Sequence, residues 1–583
     1  MNERFGWTGS VLHINLTSGT ISHEHPHTAL YDKYLGGKGL AGHYLRPHAA
    51  REYTDPLLPL LIFTGPLTGT IAPTSGRGTI MSRSPLTGTI CDASVGGRLP
   101  TQLKRAGYDG LVITGQSDFP CGIEIRDSDV RLVETGLWGE TTDTVFTKLE
   151  TMNPKGVSIA CIGPAAENGS RMASIAVDRR HAAGRGGLGL VCAAKNLKYL
   201  TVMGTGNIRV HNQAALTEAR EEILRLTAAS PVLMGQHGFS RWGTGALFDL
   251  IDARRMMPTD NFTKTRFEDT PRINAAAYNH RFSPRSHGCM GCHILCRKIA
   301  EDGRNMPGFE TMSHFTALIG NTDMELVLAA NDLCGRLGLD PVSAGSTLAC
   351  YREITGQDFT PHSLLNALHE MAQGGDLGQG SSTFAQTCGH PEASMTVKGM
   401  ELPAYDPRGA YGMALAYAVS TRGGCHLRAY PISHEILRKP VATDRFSFSG
   451  KARIIKIAED MNAVVDSLTA CKFTFLAAGL EEYAKAFTAV TGLETSGQAL
   501  LEIGERIYYN ERIMNAENGF SAEDDDLPER FFTEHGTSGG GVTIKPIDRQ
   551  EFIQARENYY TVRRLDHNGR PIPEMIKKLG LEA

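Results

Sequence analysis

Through about residue 208 the apolar positions recur in short runs broken by Gly, Thr and Pro. "SVLHINLTSG" alternates apolar and polar residues with a period of two, the spacing that buries one face of a strand. "LLPLLIFTGPLTG", "DGLVITGQ", "GIEIRDSDVRLVETG" and "VSIACIGPA" are further strand-length runs bounded by turn residues. From "HNQAALTEAREEILRLTAAS" the period lengthens to that of a helix. "TDMELVLAANDLCGRLGLD" opens on a Thr/Asp cap, and "TPHSLLNALHEMAQGG" lies between a cap and a terminal Gly pair. "KARIIKIAEDMNAVVDSL", "YAKAFTAVTG" and "SGQALLEIGERIYYNERIMNAENG" carry the helical pattern into the last third, and "SAEDDDLPE" reads as a solvated turn. The pattern predicts an α+β protein: a β-rich domain over residues 1–208, then two mainly helical domains, 209–395 and 396–583. Two helical segments end in turns that contain Asp and Cys, "NDLCGRLGLDPVS" and "DMNAVVDSLTACKF".

Composition narrows the function classes. A chain of 583 residues exceeds what one core usually accommodates, so two to four domains are expected. With 41% hydrophobic and 21% charged residues the chain has ordinary globular make-up. A net charge of −4 and the lack of a basic stripe give no reason to expect nucleic acid. No apolar run approaches the ~18 residues of a membrane span. "MNERFGWTGS" has neither an apolar core nor a twin-arginine pair, which predicts a cytoplasmic protein. Twelve cysteines are too sparse for a disulfide framework and suit reduced thiols, some of them binding metal. The 64 glycines gather in short loops, as expected where backbone approaches a ligand closely.

The densest chemistry is "HGCMGCHILCRK", with Cys289, Cys292 and Cys296 within a few positions. If residues 289–298 are helical, Cys292 and Cys296 stand one turn apart and Cys289 arrives from the preceding turn. Three such thiolates suit a soft metal or an iron–sulfur cluster. A zinc site using His287 or His293, and three unrelated buried thiols, stay open on this stretch alone. "GRGGLG" matches a dinucleotide-binding pattern, but Arg179 through Thr217 contain no Asp or Glu to hold a ribose, so that reading fails. "DRRHAAGRGGLG" nevertheless suits anions, with Arg179, Arg180 and Arg185 among glycine N–H groups. "TGTIAPTSGRGTIMSRSPLTGTI" offers Arg77 and Arg83 in the same way. Two such loops point to a ligand with several phosphates; glycine turns beside surface arginines are the alternative.

Taken together, "GPLTGTIAPTSGR", "SRSPLTG", "AGYDGLVITG", "IGPAAEN", "HAAGRGGLG", "AKNLK", "ELPAYDPRGA", "RGGCH" and "IGERIYYNERIMN" resemble the aldehyde:ferredoxin oxidoreductase family, in order across nearly the whole chain. The resemblance implies a tungsten or molybdenum ion held by two pterins, one [4Fe–4S] cluster, and Mg2+ bridging the pterin phosphates. It implies aldehyde oxidation, with electrons leaving to a ferredoxin-like partner, in a homo- or hetero-oligomer. It also implies the fold, a β-rich base that cradles the pterins under two helical domains. A subunit of a related low-potential reductase, such as one acting on an aromatic-ring thioester, and a non-catalytic iron–sulfur carrier are the alternatives.

Residue by residue, the resemblance makes Cys289, Cys292, Cys296 and Cys471 the cluster ligands. Cys471 stands in "DSLTAC", where the family has D-x-x-G-L-C, with Asp466 as a pterin contact and Thr469 and Ala470 as departures. In the companion turn, "GRLGLD", Leu339 and Asp340 match, while Gly335 replaces the leading Asp. Arg77 matches an arginine between cluster and pterin. Ala182, Ala183, Gly184, Arg185, Gly186 and Gly187 match a loop at the pterin phosphates, and Ser94 takes the place of an asparagine that helps bind magnesium. Glu310 in "PGFETM" and His426 in "RGGCH" match the two residues nearest the metal. Ala329 and Asp332 stand where some members carry an E-x-x-H iron site, so that site is expected to be missing.

Overall fold

The computed structural model describes residues 5–582. Each strand-type run of the sequence forms a strand, and the strands fill two six-stranded mixed sheets. The first runs in the order Thr20–Glu24, Val11–Asn15, Gly110–Thr114, Leu60–Phe63, Gly78–Arg83, Ile90–Val95. The second runs His181–Ala183, Ile175–Val177, Ser158–Ile162, Leu197–Met203, Cys121–Arg126, Asp129–Glu134. Within the first sheet Val11–Asn15 runs parallel to Gly110–Thr114, with Leu12 opposite Leu111. Leu60–Phe63 is buried at every position, because both its faces are covered, one of them by the helix Gly37–Leu45.

Helices Leu99–Arg105 and Leu188–Ala194 pack on the second sheet, and the latter also reaches Gly78–Arg83. The edge strands Ile90–Val95 and His181–Ala183 adjoin, so the two sheets meet along one seam. A satellite core of Val145, Phe146, Leu149 and Tyr199 backs the second sheet, and the main core runs through the rest of the molecule.

Helices dominate from Gln213 onward. Asp323 caps Met324–Leu337 by accepting from the Glu325 and Leu326 N–H groups. Thr360 and Ser363 form a reciprocal capping box at the head of Pro361–Ala372. The long helix Lys451–Leu468 packs against Gly497–Glu517 and Arg549–Arg563, and it also packs on Gly37–Leu45, the helix that covers the first sheet. Gln213–Ala229 packs on Leu480–Thr491, so the first helix after the sheets lies with the last third of the chain.

The cysteine run departs from the expected helix. Arg285–His287 and Arg297–Ile299 pair as a short antiparallel hairpin, and residues 288–296 form its non-helical tip. Distant backbone explains this conformation. A side chain at Gly96 would meet Cys289 Sγ at 2.3 Å, and one at Gly76 would meet the Met290 carbonyl at 2.3 Å. The tip is thus pressed directly onto glycines of the first sheet's edge loops, contacts that a helix would not make. Among the described residues, no helix is long and apolar enough to cross a membrane.

Candidate functional site

The seam between the sheets opens into a cavity of about 800 Å³. Asp92 and Ser94 reach its wall from one edge strand, and His181 and Ala182 from the other. The thiols of Cys289, Cys292, Cys296 and Cys471 line the same space, brought together from the hairpin tip and from the end of helix Lys451–Leu468. Among the described residues no three His, Cys, Asp or Glu side chains are gathered closely enough to hold a single metal ion. Four thiols spread around a shared void suit a polynuclear cluster better than a lone zinc. Burial pushes the Cys471 thiol up to about 12, against the lowering effect of Arg77. A proton-free Cys471 therefore needs a compensating positive centre beside it.

Arg77 ties the thiols to the seam. Its Nε donates to Ser94 Oγ at 2.9 Å and its Nη2 to the Ser94 carbonyl at 2.6 Å, while Nη1 stands 3.6 Å from Cys289 Sγ. Burial opposes the guanidinium's charge, but Cys289, Cys471 and Asp466 outweigh it and raise its pKa. His181 Nδ1 lies 3.9 Å from the same sulfur. Burial, reinforced by Arg297 and Arg77, lowers that imidazole to about 2, so it is neutral.

The two Asp-containing turns reach the cavity by different devices. Helix Met324–Leu337 ends at Gly338 in the left-handed region (φ 77°), where a side chain would press on the Gly163 backbone at 3.0 Å. The turn docks on the base largely through its backbone: Ser174 N–H donates to the Gly338 carbonyl, Asp340 N–H to the Met172 carbonyl, and the Thr142 hydroxyl donates to the Gly335 carbonyl. Asp340 then caps the next helix, accepting from Val342 and Ser343 N–H and from Arg185 Nε at 3.2 Å. Leu339 and Gly335 line the cavity beside it.

Helix Lys451–Leu468 ends with Thr469 in the same left-handed conformation (φ 62°), where the family turn has Gly. A β-branched residue there is strained. Two hydroxyl contacts hold it: Thr469 Oγ1 donates to the Leu468 carbonyl and shares a hydrogen bond of 2.6 Å with Thr68 Oγ1. Asp466 Oδ2 pairs with Lys472 at 2.7 Å, whereas its Oδ1 is buried with no hydrogen-bond partner.

The glycine loop also divides its roles. Gly186 and Gly187 have φ of 85° and 79°, and any side chain would strike Cys91 Sγ or the Arg171 carbonyl at 2.4 Å. Gly184 instead faces open space, since a side chain added there would meet nothing nearer than Asp340 Oδ1 at 4.0 Å. Ala183 is fully buried beneath it. Arg185 is committed to protein: it bonds Asp340, the Gly424 carbonyl and the Glu401 carbonyl. Arg179 pairs with Asp143 and Glu150, and Arg83 with Glu52, so neither is a free anion ligand.

Glu310 and His426, far apart in sequence, are brought side by side. His426 Nε2 is 3.5 Å from Glu310 Oε1, and Glu310 Oε2 accepts the Ala404 N–H at 2.8 Å. Burial raises the Glu310 carboxyl to about 7. Burial, with Arg185 and Arg422 adding to it, holds His426 well below its ordinary value, so the ring is neutral. His426 Nδ1 has no hydrogen-bond partner. Tyr405 packs 5.6 Å from the imidazole, centroid to centroid.

Sequence patterns missed part of this wall. Asp92, Arg422, Arg428, His181 and Lys472 all line the cavity. Arg422 and His181 sit inside the recognised stretches "RGGCH" and "HAAGRGGLG", and Lys472 directly follows Cys471, so adjacency to a motif was the available signal. Ala329 and Asp332 lie one turn apart on Met324–Leu337, and Asp332 reaches the cavity's rim.

A β-rich base and a helical roof thus close over one large cavity, with a thiol-bearing hairpin at its side. Family models described as "Aldehyde ferredoxin oxidoreductase, N-terminal domain" and "Aldehyde ferredoxin oxidoreductase, domains 2 & 3" match residues 11–204 and 218–581. A tungsten-containing aldehyde ferredoxin oxidoreductase of Pyrococcus furiosus is 34% identical over 99% of both chains, and one of Thermococcus kodakarensis is similar to the same degree. The WOR-like subunit of an aliphatic sulfonate oxidoreductase, also from Pyrococcus furiosus, is 25% identical over 99% of this chain and 97% of its own. The solved active-site complex BamBC of benzoyl coenzyme A reductase superposes with a TM-score of 0.84, covering 99% and 98% of the two chains at 20% identity. The chain belongs to the aldehyde ferredoxin oxidoreductase family, a family of oxidoreductases whose membership implies a tungsten–pterin cofactor.

Proposed function

We propose that this protein oxidises aldehydes to carboxylic acids at a bis-pterin tungsten or molybdenum centre and passes the electrons through one [4Fe–4S] cluster to a ferredoxin-like acceptor. The observation that carries the reading is the Glu310–His426 pair, 3.5 Å apart, with His426 on the wall of the cavity that the four thiols also line. The donor set fits the cofactors. Asp466 Oδ1 is an orphaned buried acceptor suited to a pterin's amino edge, Gly184 leaves room for a phosphate, and Cys289, Cys292, Cys296 and Cys471 would hold the cluster. Ser94 would be available to the magnesium, and Arg77 would lie between cluster and pterin. Asp340, already capping a helix, would steady the second pterin through its turn, with Leu339 against the ring. When bound, the pterin-held metal supplies the two-electron redox chemistry.

Converting RCHO and H2O to RCOOH releases two electrons and two protons, and the chain's own residues manage the protons. A neutral imidazole carries one N–H, and the state of Glu310 decides where it sits. With Glu310 ionised, Nε2–H faces the carboxylate. With Glu310 protonated, its O–H donates to Nε2 and the imidazole proton moves to Nδ1, where it can polarise a carbonyl. A carboxyl near 7 is poised between these states at working pH, which is what proton transfer requires. Purified protein with a fixed iron-to-tungsten or iron-to-molybdenum ratio of ~4 should oxidise aldehydes with an artificial dye. Glu310→Gln should lower kcat by roughly 10²- to 10⁴-fold at unchanged metal content. Near-wild-type turnover in that variant removes the proton role, and wild-type protein carrying iron alone removes the enzyme reading.

The likeness to BamBC supports a second reading, reduction of an aromatic thioester by low-potential electrons. Identity favours the aldehyde reading, at 34% against 20%. Turnover of a benzoyl thioester rather than an aldehyde would reverse the choice.

A further inference from the structure

The hairpin that carries three of the thiols presents an unusual outer surface. Met290 and Leu295 are 41% and 37% exposed, although large apolar side chains are mostly buried in this protein. Both belong to the tip, alternating with Cys289, Cys292 and Cys296, and Gly291 and His293 beside them are exposed as well. Flanking this apolar tip is positive charge with no internal partner. Arg285, His287 and Arg297 share one face of the two-stranded ladder. Arg285 and Arg297 are exposed and form no ion pair among the described residues. The charged groups that act on His287 are Arg180, Arg297 and Arg285, and on His293 Arg220, with no carboxylate among them. At the hairpin's base, Asp302 and Glu325 are each paired with arginine, which leaves Glu301 as the one unpaired acid of that turn.

An apolar tip inside an unneutralised arginine collar is the surface pattern of a transient, electrostatically steered interface. Its place over the thiols fixes what such an interface is for. Electrons tunnelling from a cluster held by these cysteines leave most directly through the Cys289–Cys296 loop, the only ligand segment with exposed neighbours on both sides. We infer that the Arg285–Ile299 hairpin is the docking face for a small acidic iron–sulfur electron carrier, with Met290 and Leu295 as the contact centre and Arg285 and Arg297 as the steering charges. This inference rests on the proposed oxidoreductase reading and deepens it by placing the partner on named residues.

The test uses the purified holoenzyme, an aldehyde, and an acidic two-cluster ferredoxin as acceptor, with a viologen dye as the control acceptor. The reversal Arg285→Glu removes an exposed charge of the collar that stands apart from the thiols and from the cavity wall. It should lower the second-order rate of ferredoxin reduction by roughly threefold or more at low salt and flatten its dependence on ionic strength, with dye-linked turnover unchanged. Met290→Ser, which adds no charge, should depress ferredoxin reduction while retaining the salt dependence. Ferredoxin rates equal to wild type in Arg285→Glu would overturn the inference. So would an equal loss with ferredoxin and dye, which would place the arginine in the chemistry instead. If light scattering shows that the reversal dissociates a homo-oligomer while ferredoxin reduction persists, the face is a self-contact and the inference fails. Absence of dye-linked turnover in the wild type would be a failure of the proposed function, and is thereby distinguished from a failure of docking.

Discussion

Glu310 keeps its proton to about pH 7 because its pocket removes water from the carboxylate, and that has a thermodynamic sign. In the unfolded chain the same group ionises near 4.5. The folded state therefore holds the extra proton between these values, and stability fully present below about pH 4.5 is lost progressively as pH rises through 7. The loss attributable to Glu310 is at most ~3 kcal/mol. Glu310→Gln should abolish that dependence, so cofactor-free variant protein should gain on wild type in urea midpoint between pH 5.5 and 8. Parallel pH curves for the two proteins would show that Glu310 is not the titrating group. Thr469 gives a second expectation at this scale. Thr469→Gly relieves the left-handed strain but loses two hydroxyl contacts and adds backbone freedom, so it should be neutral to within about 1 kcal/mol. Thr469→Val keeps the strain and strands the Thr68 contact, and should cost about 1–3 kcal/mol. Equal melting behaviour for both variants would mean that neither the strain nor the hydroxyl matters. Glu310, His426 and the four thiols could be nominated from the sequence because each sits in a recognisable stretch. The partners that set their chemistry were not: the neutral His181 beside Cys289, Lys472 beside Asp466 and the orphaned Asp466 oxygen are products of three-dimensional approach, which no spacing encodes.

Elements followed from the pattern where local signals and tertiary packing agree. Met324–Leu337 and Pro361–Ala372 begin at the caps that their sequences announce, and the strand runs pair as their periods require. The spacing of the cysteine loop would also suit a helix, yet the contacts with Gly76 and Gly96 belong to a hairpin tip, and residues about two hundred positions away decide the outcome. The same principle governs the turn that delivers Cys471. Helix Gly37–Leu45 begins hard against it: a side chain at Gly37 would meet the Asp466 carbonyl at 2.3 Å and Thr469 Cγ2 at 2.9 Å, and Gly37 itself has φ 38°. Gly37→Ala should therefore displace the turn by a few tenths of an ångström or more and loosen the fourth ligand. The expected result is a lower iron-to-protein ratio and an altered electron paramagnetic resonance signal, with far-ultraviolet circular dichroism preserved. Full iron with an unchanged signal would show that the turn accommodates the methyl group without moving Cys471.

Across the whole molecule, a buried charge network joins base to roof. Asp92, on the edge strand Ile90–Val95, meets Arg428 in a buried ion pair. Arg428 also reaches Glu511 of helix Gly497–Glu517 at 3.4 Å, and Lys38 of helix Gly37–Leu45 pairs with the same glutamate at 2.5 Å. Arg422 adds a bond to the Asp92 carbonyl at 2.7 Å, and all four charged side chains Lys38, Asp92, Arg428 and Glu511 are almost wholly buried. Burial alone would raise the Asp92 pKa, but Arg428 and Lys38 outweigh it and hold the carboxyl well below its ordinary value. Its contribution is therefore complete above the unfolded pKa near 3.8 and lost as pH falls below that value. Asp92→Asn leaves Arg428 buried with one charge partner instead of two, and breaking such a network costs about 3–5 kcal/mol. In a protein of this size that is a fall of a few degrees in the thermal midpoint at pH 7. The difference between variant and wild type should shrink as pH falls below about 4, where the Asp92 carboxylate of the unfolded chain takes up a proton that the folded chain still excludes. Because Asp92 and Arg428 also line the cavity, the variant should lose cofactor before it unfolds, seen as release of tungsten or molybdenum at temperatures below the melting transition. A thermal midpoint within a degree of wild type at pH 7 would mean that the network is a neutral replacement for apolar packing and that the roof is held by its hydrophobic contacts alone.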